Sequence, residues 1–326
     1  SAGERLSPLI GLIPALITLL LARFLWTRSA RDRRARALLL GAILLALGSS
    51  YLDDLGRHEA SEFHGLLTPQ PGSSFVEDYA LRPHAHYDFN AHGFRKPEWA
   101  IEKAKGTLRV ALVGDSFVFG SGVEQPDTLS AQLVKQTTRR FSGRVIEVLN
   151  LGISGDNLGS HVRVIELADE LLDADITVLC LTLPNDLSRW DGQDEHREPG
   201  RIGLFSLVSW TLGTQSAIVL WDMRTLARDY TDDGLTFLRA QMDRLRAFRT
   251  RRGERPLLVF TYQDPPEGVR APIVALPGVT LLPPADRRLE YFIPGDGHPT
   301  GAGNEAFSAV IADALAELPV LRRDAR

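Results

Sequence analysis

Apolar positions along this chain follow three successive patterns, and each predicts a different kind of element. Residues 6–26, LSPLIGLIPALITLLLARFLW, are apolar all round, with one charge at Arg23 near the end. As a helix they cover ~30 Å, the thickness of a bilayer core. Arg23 can reach the interface along its own stem. Pro8 and Pro14 are tolerable in a membrane helix. Residues 37–52, ALLLGAILLALGSSYL, have no polar face and cover ~24 Å, a span that needs some local thinning of the bilayer. The pattern therefore predicts a transmembrane helical hairpin over 1–52. The competing reading, one anchor followed by an amphipathic soluble helix, needs a polar face that the second segment lacks.

The second pattern, 53–106, is polar and mixed, and is expected to be a connector laid on the domain surface. The third begins at residue 107. Short β-rich apolar runs occur at 108–113, 145–149, 176–183, 256–262 and 279–282. Helical-period segments lie among them at 128–139, 158–172, 235–251 and 303–318. Continuous apolar strands alternating with helices predict a mainly parallel five-stranded sheet covered on both faces. The expected domain, 107–326, is thus a three-layer α/β/α sandwich. An insertion at 187–230 is longer than an ordinary connection. It holds twenty uncharged residues, 202–221, rich in Ser and Thr. A membrane span there would place residues 185 and 298 on opposite sides of the bilayer. Cover for the site, a face against the membrane, or a docking surface for a membrane-protein partner is the expectation instead.

Composition narrows the class. The 326 residues are 44% hydrophobic and 24% charged, the balance of a folded protein. The net charge of -4 offers no electrostatic case for nucleic acid. The single cysteine, Cys180, lies in an apolar run and can form neither an internal disulfide nor a CxxC site. Five arginines fall between Arg28 and Arg36. By the positive-inside rule they hold the hairpin loop in the cytoplasm. Everything after residue 52 then lies on the periplasmic or extracellular side of the inner membrane. The first span reads as a retained anchor rather than a cleaved signal peptide.

In a parallel sheet, ligands bind beyond the carboxyl ends of the strands. Four polar blocks stand at such places: Gly114-Asp115-Ser116; Asn150, Gly152, Gly155 and Asn157; Asn185-Asp186; and Asp296-Gly297-His298. A phosphate-binding P-loop is excluded, because Ser121 rather than Lys follows Gly120. The dinucleotide fingerprint and the G-x-S-x-G elbow are also missing. His84, His86 and His92 have no metal-site spacing. No metal and no cofactor are expected. Acyl transfer by an activated serine remains. It needs a base, an orienter and oxyanion donors. Ser116 can be the nucleophile, His298 the base and Asp296 its partner. The Ser116 and Gly155 N–H groups and the Asn185 amide can supply the oxyanion donors. Each block alone also fits turn or cap chemistry.

In their order along 107–318, the four blocks resemble the SGNH, or GDSL, hydrolase superfamily. The resemblance implies the same roles for Ser116, Gly155, Asn185, Asp296 and His298. Two blocks depart from it: Leu183-Pro184 replaces the usual Gly-x before Asn185-Asp186, and the acid–histidine spacing is one residue short. That shorter spacing resembles the variant in SGNH proteins that handle acetyl groups on polysaccharides. The implied activity is a membrane-tethered esterase or O-acyl(acetyl)transferase on a cell-envelope glycan. A lipase or thioesterase, or a non-catalytic subunit of a membrane complex, are the alternatives.

Overall fold

The computed structural model describes residues 60–77, 85–187, 232–284, 286, 288–294 and 296–322. The expected hairpin, the 202–221 stretch and all but the first residue of the insertion lie outside them. Among the described residues, no helix is long and apolar enough to cross a membrane.

Two short antiparallel pairs come first: β1 (Ala60–Phe63) with β2 (Leu66–Pro69), then β3 (Ser74–Glu77) with β4 (Ala85–Asp88). The main domain follows as β5 (Thr107–Gly114), the single turn α1 (Ser116–Phe119), α2 (Leu129–Arg140), β6 (Val145–Gly152), α3 (Leu158–Glu170) and β7 (Ile176–Leu181). After the insertion come α4 (Asp232–Arg252), β8 (Leu257–Thr261), α5 (Glu267–Val274), β9 (Val279–Leu281), α6 (Gly301–Glu317) and α7 (Pro319–Arg322).

The five strands β5 to β9 form one sheet in the order β6-β5-β7-β8-β9, with every pairing parallel. Side chains of one strand alternate between two cores. In β5, Ala111 and Val113 join the core that holds Val162, Leu238 and Ile273 of α3, α4 and α5. Val110 and Leu112 join the core that holds Leu133 and Phe307 of α2 and α6. Burial on both faces is why the strands read as unbroken apolar runs. Strand order reverses at β5: the chain steps to β6 on one side and then to β7 on the other. The crevice between the carboxyl ends of β5 and β7 is the topological switch point, where such sheets bind ligands.

The ends of the helices follow ordinary cap chemistry. The Thr128 hydroxyl accepts the Ala131 N–H at 3.2 Å at the start of α2, and Arg139 and Arg140 close its last turn. Thr300 caps α6 in the same way. Helix α5 was not expected, because Pro272 lies inside it and reads as a breaker.

The described part of the 53–106 stretch is built into the domain. Phe63, Leu66, Phe94 and Trp99 enter the first core. Ala85, Tyr87 and Phe89 pack with Phe119 of α1. Arg109, 1% exposed, bonds the Ala100, Ile101 and Leu172 carbonyls at 2.9, 2.9 and 2.6 Å and pairs with Glu147 at 2.7 Å. Strand β4 alternates buried Ala85 and Tyr87 with exposed His86 and Asp88. Four residues of alternation are too few to stand out in a polar stretch.

Candidate active site

Ser116 opens the single turn that follows β5. The Asp115 carboxylate caps this turn by accepting the Phe117 N–H at 3.0 Å. The Ser116 carbonyl accepts the N–H groups of Gly120 and Ser121, at 2.9 and 3.0 Å. Asn150, in the neighbouring strand, donates its amide to the Val118 carbonyl at 3.0 Å. The turn lies flat on β6 because residue 152 is glycine. A Cβ there would sit 2.2 Å from the Phe119 nitrogen and 2.7 Å from the Val118 carbonyl carbon.

His298 reaches this turn from the loop before α6. Its Nε2 stands 2.8 Å from Ser116 Oγ, and its Nδ1 stands 2.8 Å from Asp296 Oδ2. If Nδ1–H is donated to the carboxylate, Nε2 is left to accept the serine hydroxyl. The Asp296 side chain is 1% exposed and that of His298 15%, so the acid is sheltered and the ring is reachable. The one-residue spacer works through backbone conformation. Gly297 takes φ +85°, a left-handed value that glycine adopts without strain. The loop is tied by the Asp296 and Gly297 N–H groups to the Ile293 carbonyl, at 3.1 and 3.0 Å, and by the Ile293 N–H to the His298 carbonyl at 2.7 Å. Phe117 lies against the ring, 5.1 Å between centroids.

Asn185 comes from the end of β7. Its Nδ2 donates to Asp115 Oδ2 at 3.3 Å, and Thr182 Oγ1 donates to Asp115 Oδ1 at 3.0 Å. Asp115 therefore joins the Ser116 turn to the Asn185 amide through one carboxylate. Among the described residues, Asp115 is the acceptor of that amide. Leu183 and Pro184 carry Asn185 into place. Their turn is closed by the Leu187 N–H to the Pro184 carbonyl at 2.9 Å and held by Gln263 Nε2 on the Leu183 carbonyl at 2.9 Å. Gly155 sits in the turn beyond β6 at φ +84°, exposed, with open space where a Cβ would be.

No family model matches the sequence, and no curated protein matches it. Solved structures do. A lipase/acylhydrolase from Enterococcus faecalis shares 15% identity over 64% of this chain and 95% of its own, with a TM-score of 0.40. A family 3 carbohydrate esterase from Clostridium thermocellum shares 16% over 64% and 99%, at 0.38. A two-domain esterase active on acetylated mannans shares 12% over 65% and 50%, at 0.41. The four blocks meet at one place, as the resemblance of the sequence to the SGNH/GDSL hydrolases implied. The chemistry of the site rests on its own geometry.

A buried polar layer supports the site from below. Burial raises the Asp115 pKa, against the hydrogen bonds from Phe117, Thr182 and Asn185 and the His298 charge. Burial raises Asp186 well above the carboxylate range, and the charge of Asp115 adds to the effect. Asp186 Oδ2 accepts the Thr182 N–H at 2.6 Å. The His161 ring, 4.0 Å away, is held neutral by burial, with its pKa lowered to about 3.

Five residues singled out in the sequence thus lie at the carboxyl edge of the sheet or on the loop facing it. Ser116, His298 and Asp296 are hydrogen-bonded in series, Asn185 joins them through Asp115, and Gly155 is placed beyond the adjacent strand. Of the three histidines weighed as ligands, His86 bonds Glu124 and His92 stacks on Trp99, while His84 lies outside the described residues. The sequence reading gave no role to Asn150 or Gly152, although both stand in a strand-end block. It missed Arg95 and Tyr87 entirely.

Proposed function

We propose that the protein is a serine esterase or O-acyltransferase, tethered by the hairpin at 6–52 and working outside the cytoplasm on acyl groups of a cell-envelope glycan. The observation that carries the catalytic reading is the unbroken series Ser116 Oγ, His298 and Asp296, with both hydrogen bonds at 2.8 Å. Such contacts are within general-base reach without substrate-induced movement. They favour a live centre over a non-catalytic subunit. The extracytoplasmic site is supported by the arginine cluster at 28–36, and the glycan by the shortened Asp296-Gly297-His298 spacing.

Ser116 Oγ attacks the acyl carbonyl as its proton passes to His298 Nε2. Asp296 stabilises the imidazolium through Nδ1–H. The Ser116 and Gly155 N–H groups and the second Asn185 N–H stabilise the oxyanion. The tetrahedral adduct collapses, the acyl–oxygen bond breaks, and His298 returns the proton to the departing alkoxide. The acyl-serine then passes its acyl group to water or to a sugar hydroxyl by the reverse sequence.

Turnover of a small aryl acetate and labelling by a fluorophosphonate test this reading. Wild-type protein is expected to do both, and Ser116→Ala to do neither. Unchanged turnover in Ser116→Ala would exclude Ser116 as nucleophile. Release of acetyl from an acetylated glycan tests the substrate class.

A further inference from the structure

We propose that Arg95 is a positioning residue for the nucleophile, and that the segment carrying it, residues 85–97, is an obligatory part of the active centre. The proposal rests on reading Ser116 as the nucleophile.

Arg95 is fully buried. The turn that brings it inward is built by Asn90, whose Oδ1 accepts the His92 and Phe94 N–H groups at 2.9 and 3.1 Å. Phe89 and Arg95 then pair as a β-bridge. The guanidinium ends against the stretch that leaves Ser116. Nη1 donates to the Phe119 carbonyl at 3.2 Å and to the Gly120 carbonyl, and Nη2 donates to the Val123 carbonyl at 2.5 Å. Nη2 also donates to the His86 carbonyl at 3.2 Å, in β4 of the same segment. The guanidinium lies 4.5 Å from the Tyr87 ring centroid and 5.5 Å from that of Phe119. Tyr87 adds a second clamp, its Oη accepting the Gly122 N–H at 2.7 Å. A third comes from His86, whose backbone N–H and Nδ1 both meet Glu124 Oε1, at 3.1 and 2.9 Å.

These contacts fall on the free end of the nucleophile turn. A four-residue helix leaves its last carbonyls without intrahelical donors, and burial without donors is costly. Asn150 takes the Val118 carbonyl, and Arg95 takes the next two. The front of the turn is held by Asp115 and its back by Arg95, so the direction of Ser116 Oγ is set from both ends. A planar fork of donors suits several carbonyls at once, as a lysine ammonium does not.

The test is Arg95→Lys, with Tyr87→Phe beside it, in the full chain. Each is measured for melting temperature, the kcat and KM of an aryl acetate, the rate of fluorophosphonate labelling, and amide exchange at 119–123. Arg95→Lys is expected to lower kcat and the labelling rate about 10- to 100-fold with KM unchanged, because a misplacement near 1 Å has that effect. Tyr87→Phe is expected to lower both about threefold, the worth of one hydrogen bond. Faster exchange at 119–123 accompanies both. A folded Arg95→Lys that labels and exchanges like wild type overturns the proposal. If Arg95→Lys does not fold, Tyr87→Phe decides, and wild-type kcat and exchange in it overturn the proposal. If the wild type itself fails to label, the esterase reading falls. Exchange at 119–123 then decides the clamp alone: faster in the variants supports it, unchanged overturns it.

Discussion

Gly152→Ala tests the arrangement of the nucleophile at one atom. The added Cβ would lie 2.2 Å from the Phe119 nitrogen, and ordinary contact begins at 3.4 Å. The neighbour is backbone, so no side chain can swing away. Residue 152 cannot retreat either: it pairs with Gly114 in the sheet, and its N–H is bonded to Asn150 Oδ1 at 3.0 Å. The turn must therefore rise by about 1.2 Å. The Ser116–His298 contact, 2.8 Å in the protein, would open beyond hydrogen-bond range. A shift of that size corresponds to roughly a 10²-fold loss in kcat, or about 2.7 kcal/mol in the transition state. Overpacking also lowers stability by about 1–3 kcal/mol, so rates should be read well below the melting point. Gly143→Ala is the control. Gly143, unlike Gly152, has a positive φ, +92°, with nothing within 4 Å of an added Cβ, so its substitution strains the backbone and lowers stability without displacing the site. Aryl-acetate kinetics and fluorophosphonate labelling read the result. A Gly152→Ala enzyme with kcat within threefold of wild type would refute the claim that the turn's closeness to β6 places Ser116.

Asn185→Ala should lower kcat by about 10²-fold, the usual loss for one oxyanion donor. Asp115→Asn should lower it too, and the double variant should be no slower than Asn185→Ala alone, because asparagine keeps the Oδ1 that caps the Ser116 turn and loses only the Oδ2 that holds the amide at 3.3 Å. Additive losses in that cycle would mean that Asp115 acts by some other route. His161→Gln should change how stability depends on pH in acid. The native ring, with its pKa lowered to about 3 from 6.5, stays neutral, while the unfolded chain takes up a proton below pH 6.5. Its contribution is therefore complete above pH 6.5 and declines as pH falls toward 3. The stability difference between wild type and variant should shrink by about 3 kcal/mol between pH 6.5 and 4, from about 1.4 kcal/mol per pH unit. Asp186, 4.0 Å away, is present in both proteins, and its opposite pH dependence largely cancels in the difference. Parallel denaturation profiles across that range would show that His161 titrates normally.

The sheet was legible because burial on both faces leaves unbroken apolar runs, and all five expected strands pair in parallel. That Ser116, His298 and Asp296 would meet was legible because the acyl chemistry expected of them draws on few side-chain types. Helix α5 was hidden by Pro272, and β1 to β4 by their length and by polar residues on their exposed faces. Whether the shortened acid–histidine spacing could close was not legible. It depends on the left-handed turn at Gly297, and a glycine in sequence does not reveal its φ.

Arg95 exposes a deeper asymmetry. Its acceptors on the nucleophile stretch are the carbonyls of Phe119, Gly120 and Val123, groups that every residue carries. A side chain that recognises backbone imposes no residue type on its partners, so it leaves no spacing to find. An arginine in a polar stretch reads as surface, because charged residues are seldom fully buried. Yet a buried guanidinium is tolerable only where acceptors surround it, and the bared end of a short helix is such a place. The short turn that presents Ser116 so openly thus creates the requirement that Arg95 fills. The segment that meets it lies between the expected membrane hairpin and the five-stranded sheet, so on the proposed function the stretch that would join tether to enzyme also braces the nucleophile.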